Sequence, residues 1–154
     1  MMTWEIRQAT VQDFSQIYQL IKQVFEENTK YEMTEEGQRN FLQFIQPSQM
    51  EFRYQNGAIF WVCEVESQLV GMIEFAYYNH IYLYFVDKNY RGKGIGKALF
   101  NQVKKEIKGN ITANSTEYAL PIYLKLGFTQ NGSVVTRNGI RAYPIIYQKT
   151  VDNE

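Results

Sequence analysis

Cysteine, proline and histidine are scarce in this sequence, which has one, three and one of them in 154 residues. With Cys63 alone, no intrachain disulfide can form, so the chain is not a small disulfide-stabilised scaffold. An excess of either charge is also lacking, because sixteen Lys and Arg residues balance sixteen Asp and Glu residues. A balanced chain has no overall field for nucleic acid or an anionic membrane, and we expect neither as a partner.

Long apolar runs are missing too. No segment approaches the ~18 apolar residues of a membrane-spanning helix, and the stretch MMTWEIRQATVQDF has no signal-peptide pattern. These absences, with the single cysteine, predict a cytoplasmic protein. The length is that of one domain able to bury its own core, so we expect residues 1–154 to form a single domain.

Hydrophobic periodicity predicts an alternation of strands and helices. Thr10 and Asp13 match a capping box before an amphipathic helix, and Thr34 is an N-cap for a second helix that ends before Pro47. Asn138-Gly139 between two strand-like runs predicts a hairpin. Besides the helix after Thr34, we predict strands over residues 4–8, 58–65, 69–78, 81–86, 110–113, 128–136 and 140–149, and helices over residues 10–26, 94–108 and 117–126. The order β-αα-βββ-α-β-α-ββ predicts a mixed α/β fold.

A glycine-rich turn, RGKGIG at Arg91–Gly96, lies between the strand at residues 81–86 and the next helix. Glycine permits positive φ and lets a ligand approach the main chain closely. N–H groups at the start of a helix have no partner within it and, with the helix dipole, bind phosphate. The turn therefore predicts a local phosphate site, to which Arg91, Lys93 and Lys97 can add charge.

Two common phosphate loops do not fit this turn. A Walker A loop needs G-x-x-x-x-G-K-[ST], but Gly92 and Gly96 are one residue too close and Ala98 replaces the hydroxyl. A dinucleotide fingerprint needs G-x-G-x-x-G in a parallel βαβ unit, whereas the spacing here is G-x-G-x-G after an antiparallel meander. On spacing alone, a tight turn that binds no ligand remains an alternative.

Two stretches in the right order resemble one family. VDKNYRGKGIGKALF resembles the acyl-CoA-binding motif of the GNAT superfamily of N-acetyltransferases, [Q/R]-x-x-G-x-[G/A], and NSTEYALPIYLKLGF resembles that family's later motif. One helix and one short strand separate them, and the element order fits over essentially the whole chain. The resemblance implies a GNAT-like fold with a splayed central sheet and an acyltransferase that uses acetyl-CoA as acyl donor. The later motif is matched by Thr116, Ala119, Tyr123, Leu126, Gly127 and Phe128.

The resemblance also implies a donor site in a gap between the strands at residues 81–86 and 111–113. The pantetheine arm would pair with the main chain at Phe85 and Val86, with an N–H near Val86 as oxyanion donor. Asn114 and Thr116 would hydrogen-bond the arm. The pyrophosphate would be held by Arg91, Gly92, Lys93, Gly94, Ile95, Gly96 and Lys97.

For catalysis, the resemblance implies direct attack of a neutral primary amine on the thioester, with Tyr123 as general acid for the departing sulfur. Glu74 is our candidate for the general base, acting directly or through water. His80, the only histidine, is the alternative base. No metal is expected.

The acceptor is a small-molecule or peptide amine that the sequence does not identify further. The resemblance implies that residues 25–33 form one wall, where Glu26, Glu27, Tyr31 and Glu32 suit a cationic amine or are a solvated helix end. Tyr118 and the C-terminal hairpin would form the other wall. A non-catalytic acyl-CoA-binding module, a longer acyl-CoA, and a homodimer formed through the hairpin edge stay open.

Overall fold

A computed structural model describes residues 3–149 of the chain, with only the main chain at Tyr77. Within that range, all eight strands join one mixed sheet in the order β1-β2-β3-β4-β5-β8-β6, and β7 also pairs with β8. Neighbouring strands are antiparallel except β4 and β5, which are parallel. The strands are β1 (Glu5–Gln8), β2 (Ile59–Val65), β3 (Gln68–Ala76), β4 (His80–Val86), β5 (Ile111–Ser115), β6 (Thr129–Gln130), β7 (Val135–Arg137) and β8 (Ile140–Tyr147).

Helices cover both faces of this sheet, because each face buries its own apolar cluster. On one face lie α1 (Phe14–Glu27), α2 (Glu35–Phe44) and α3 (Pro47–Gln55). On the other lie α4 (Ile95–Glu106) and α5 (Leu120–Lys125). Cys63 is fully buried in the second cluster, as an inert core residue. The prediction of a mixed α/β fold is confirmed.

The predicted N-caps Thr10 and Thr34 are confirmed. Thr10 and Asp13 form a capping box, and the helix that follows opens with a 3₁₀ turn at Val11–Asp13. Thr34 caps α2 through its hydroxyl oxygen, which accepts the Gly37 N–H at 3.1 Å. Both caps satisfy N–H groups that a helix start leaves unpaired.

Two predicted elements differ from the structure. Pro47 does not only end the second helix but also starts a third, α3, because a proline in the first turn has no N–H to lose there. The strand predicted over residues 128–136 is two short strands, β6 and β7, interrupted around Gly132 at φ 125°. The observed order is therefore β-ααα-βββ-α-β-α-βββ.

The parallel pair β4–β5 is very short and opens into a gap. The two strands pair at only two positions, His80 with Thr112 and Ile81 with Ala113, and then diverge. Beyond them β4 continues to Val86 and β5 to Ser115. The gap therefore lies at the carboxyl ends of two parallel strands, where open α/β sheets bind ligands. Among residues 3–149, no helix combines the length and the apolar character needed to cross a bilayer.

Candidate active site

Binding sites for small molecules are clefts of roughly 300–1,000 Å³, and the cavity that opens at the β4–β5 gap measures about 640 Å³. Aromatic side chains make up much of its wall, including Phe41, Phe44, Tyr82 and Phe85. Its polar lining comes from the end of β5, from α5 and from the β7–β8 hairpin. Such a mixture of apolar wall and few polar groups is typical of a binding site for small organic molecules.

The glycine turn has the geometry of an anion cradle. Gly92 and Gly94 adopt φ 75° and 88°, and a Cβ built on either would meet no atom within 4 Å, so the space above the turn is open. Within the described residues, the N–H groups from residue 92 to residue 97 have no hydrogen-bond partner; the first N–H bonded inside α4 is that of Ala98, to Gly94. The turn and the start of α4 therefore fit a pyrophosphate.

Three basic residues surround the turn, but they differ in whether their side chains already have partners in the protein. Lys93 and Lys97 are exposed and have no acidic partner within the described residues. Arg91 instead donates through Nε to the Val86 carbonyl at 3.2 Å and through Nη1 to the Tyr118 hydroxyl. Arg91 thus links the end of β4 to the segment before α5, across the gap.

The hydrogen-bonding pattern of β4 determines which main-chain groups face the gap. In an antiparallel pair, only alternate residues bond to a given neighbour. The Asp87 N–H donates to the Val70 carbonyl of β3 at 2.8 Å. The main-chain groups of Phe85, two residues earlier, therefore also face β3. The main-chain groups of Tyr84 and Val86 therefore point towards the gap. Phe85 contributes its ring to the cavity wall rather than its main chain.

Tyr123, on α5, lines the cavity with a hydroxyl that has no hydrogen-bond partner in the described part of the chain. Its ring is fixed by edge-on contacts with Tyr84 and Phe128, at centroid distances of 5.6 and 5.1 Å. Burial raises the pKa of Tyr123 well above the ordinary tyrosine value, so the phenol keeps its proton at neutral pH. It is a rigidly held proton donor with no hydrogen-bond acceptor among residues 3–149.

The two polar residues predicted at the end of β5 both line the cavity, in different ways. Asn114 is exposed, and its side chain has no hydrogen bond in the described structure. The Thr116 hydroxyl oxygen accepts the Ala119 N–H at 3.0 Å and so supports the turn before α5. Its hydroxyl proton stays available to a ligand.

Comparison with known proteins assigns the family. A sequence model of the acetyltransferase (GNAT) domain matches residues 29–149. The chain belongs to the GNAT family of acetyltransferases. It is therefore an acyltransferase, of a family that uses acyl-CoA. No curated protein sequence matches the chain.

Solved GNAT structures share the fold over nearly the whole chain. A GCN5-related N-acetyltransferase of Rhodopseudomonas palustris superposes with TM-score 0.81 at 16% identity, over 97% of this chain and 98% of that one. The PaiA N-acetyltransferase of Thermoplasma acidophilum, solved in complex with coenzyme A, gives 0.79 at 17% identity, over 96% and 100%. YjaB of Escherichia coli gives 0.75 at 21% identity, over 95% and 98%. Because these identities are low, the structural similarity supports only the fold, and it confirms the predicted GNAT-like fold.

The buried carboxylate of Glu74 is held in an ion pair. Glu74 is completely buried on β3, and its two oxygens accept Nε and Nη2 of Arg53 at 2.7 and 3.0 Å. Arg53 also donates to the Phe44 carbonyl and lies 3.8 Å above the Phe44 ring. Burial raises the pKa of Glu74, and the guanidinium opposes that rise. Glu74 does not line the cavity, so the geometry gives it a structural role, and its predicted role as base stays a prediction.

Replacing Glu74 with glutamine separates these two roles. We expect the free energy of unfolding to fall by about 3 kcal/mol, because the change leaves the Arg53 charge buried without a counter-charge. Urea unfolding measures this, with Glu64→Gln as the control at a half-buried carboxylate on β2. Activity per folded molecule should stay within about threefold. A fall in activity per folded molecule of ~10², together with loss of the acidic limb of the pH–rate profile, would instead identify Glu74 as the base.

His80, the alternative base, lies at the opposite end of β4 from Val86. Its Nδ1 is 2.8 Å from the Thr112 hydroxyl, at the point where β4 and β5 pair. Burial lowers the pKa of His80, which keeps the imidazole neutral. His80 does not line the cavity, and the structure gives it a part in closing the narrow end of the gap.

The acidic residues expected to form the acceptor wall are engaged elsewhere. Glu26 pairs with Lys30 and Glu27 with Lys88, at 2.8 and 2.7 Å. Glu32 accepts the N–H groups of Glu117 and Tyr118 at 2.6 and 3.2 Å, which ties the α1–α2 connection to the segment before α5. None of the three glutamates lines the cavity. Their sequence position alone did not show these partners.

Some cavity residues were not predicted from the sequence. Tyr84 lines the cavity and donates its hydroxyl proton to the Gly96 carbonyl, so it connects β4 directly to the glycine turn. Asn40 and Arg137 lie on α2 and β7, which are adjacent only in the folded protein. The alternation of side chains along β4 could have indicated Tyr84, but no local pattern indicates the other two.

Proposed function

We propose that residues 1–154 act as one N-acetyltransferase domain, which moves an acetyl group from acetyl-CoA to a primary amine by direct attack in a ternary complex. The observation that carries this proposal is the Tyr123 hydroxyl, which is protonated, lines the cavity and has no partner in the described structure. The family's use of acyl-CoA and the open cradle at Gly92 and Gly94 support the donor assignment.

In the proposed reaction, the amine nitrogen forms a bond to the thioester carbonyl carbon and the carbon–sulfur bond breaks. The Val86 N–H, directed towards the gap, would donate a hydrogen bond to the carbonyl oxygen as negative charge develops there. Tyr123 would give its phenolic proton to the departing sulfur. The proton that the amine loses would leave through water, and Tyr123 would recover its proton from solvent.

The direct test is the release of free thiol from acetyl-CoA when purified protein is mixed with a panel of primary amines. We expect thiol release that depends on one class of amine, together with a product heavier than that amine by one acetyl group. Tight CoA binding without thiol release for any amine would overturn the proposal and favour a non-catalytic acyl-CoA-binding module. Competition between acetyl-CoA and longer acyl-CoA donors would determine the acyl chain that the protein uses.

A further inference from the structure

The cavity wall formed by α2 and the β7–β8 hairpin, here called the acceptor side, carries positive charge. Among residues 3–149, no aspartate or glutamate lines the cavity, while Arg137 and Arg141 both do. Glu26 and Glu27 pair with lysines, and Glu32 accepts main-chain N–H groups. A cationic acceptor would therefore find no carboxylate there, and an anionic group on the acceptor would find a guanidinium.

The two arginines lie on opposite faces of the β7–β8 hairpin. Arg137 is directly opposite Ile140, and residues opposite each other in an antiparallel pair share a face. That face also carries Val135, Ala142 and Pro144, which all line the cavity. Arg137 has no hydrogen bond or ion pair in the described structure, so its guanidinium is free.

Arg141 belongs to the other face, because side chains alternate along a strand. Its Nη2 lies 3.2 Å from the Tyr143 hydroxyl, and its guanidinium lies 5.6 Å from the centre of the Tyr143 ring. Neither Tyr143 nor Thr136, the residue opposite Arg141, lines the cavity. Because Arg141 itself lines the cavity, the matched control is Arg39, an exposed arginine of the neighbouring helix α2 that does not line it.

The hairpin that carries Arg137 is held firmly against α2. The Thr34 N–H donates to the Gly139 carbonyl at 3.1 Å, and the Asn40 side chain donates to the Asn138 carbonyl at 3.0 Å. A Cβ built on Gly37 would overlap the Gly139 carbonyl oxygen, so the two backbones touch and leave no room for a side chain. This contact fixes the main chain from which Arg137 projects.

We propose that the acceptor is a small amine with an apolar body and a carboxylate, and that Arg137 binds the carboxylate. This inference rests on the proposed function. Phe41, Phe44 and Met33 supply the apolar surface for the body of such a molecule. A guanidinium near the acceptor also disfavours an ammonium ion, so it lowers the pKa of the bound amine and promotes the neutral form that attacks. Arg137 thus determines specificity and also eases the removal of the amine proton.

The test uses two pairs of probes that differ only in a carboxylate: phenylalanine with 2-phenylethylamine, and leucine with 3-methylbutylamine. Calorimetry on the CoA-loaded protein measures their binding without requiring turnover. We expect each amino acid to bind about tenfold more tightly than its decarboxylated partner, the scale of one charge-assisted hydrogen bond. Because Arg137 is exposed, the preference should weaken as ionic strength rises.

Variants of the hairpin decide whether Arg137 is responsible. Arg137→Gln should reduce the preference to less than about threefold, Arg137→Lys should restore part of it, and Arg39→Gln should leave it intact. Equal binding within each pair, a preference that survives Arg137→Gln, or no binding of either amino acid would overturn the inference. So would a fall in CoA affinity in Arg137→Gln, which would assign the arginine to the donor. These measurements need no thiol release, so a result that overturns the role of Arg137 leaves the proposed acetyl transfer untouched, and the reverse also holds.

Discussion

Replacing Gly94 with valine is expected to weaken CoA binding at least ~100-fold. Gly94 stands at φ 88° immediately before α4, and the space that its Cβ would enter is open. In the proposed complex the donor's pyrophosphate fills that space and accepts the N–H groups at the start of the helix. Two hydrogen bonds to a charged group, at roughly 1.5–3 kcal/mol each, amount to a hundredfold or more. Calorimetry with CoA measures the loss.

Backbone strain must be separated from this loss of binding, because a valine at positive φ costs roughly 1–2 kcal/mol of stability wherever it stands. Gly109, beyond the other end of α4, has φ 91° and provides the control, since Gly109→Val carries a similar strain far from the turn. Both variants should lose thermal stability, and only Gly94→Val should lose CoA. A folded Gly94→Val protein with wild-type affinity would show that the pyrophosphate binds elsewhere.

The glycine turn could be predicted from the sequence because everything that forms it is local. A strand, a glycine-rich turn and a helix are consecutive, and the free N–H groups follow from where the helix begins. The same reasoning predicted the capping residues Thr10 and Thr34. It failed at Pro47, because a proline is compatible both with the end of one helix and with the first turn of the next.

The acceptor side could not be predicted in this way, because its parts are distant in sequence. The cavity brings Asn40 and Phe44 of α2 together with Arg137, roughly a hundred residues later. The sequence shows that Glu26, Glu27 and Glu32 are acidic, but not that each carboxylate already has a partner. Consequently the sequence left a site for a cationic amine and a solvated helix end both open, whereas the folded arrangement places arginines at the cavity.

The free hydroxyl of Tyr123 leads to the second large effect. Tyr123→Phe is expected to lower kcat by ~10²–10⁴, the usual contribution of a general acid, with CoA affinity little changed. The ring contacts with Tyr84 and Phe128 do not involve the hydroxyl, so the phenylalanine ring should pack in the same place. Steady-state rates of thiol release with a saturating amine give kcat, and single-turnover rates show whether the chemical step is the one that slows.

The pH profile and a matched control variant both test Tyr123 as the acid. An acid must be protonated, so its contribution is lost as pH rises through its pKa, and burial places the pKa of Tyr123 above the ordinary tyrosine value of about 10. The wild-type rate should therefore show no decline due to Tyr123 below about pH 10. Tyr54→Phe removes the same atom from a ring packed against Phe14 and Phe60, away from the cavity, and should leave kcat unchanged. If Tyr123→Phe keeps the wild-type kcat, the proton on sulfur comes from water and Tyr123 only shapes the cavity wall.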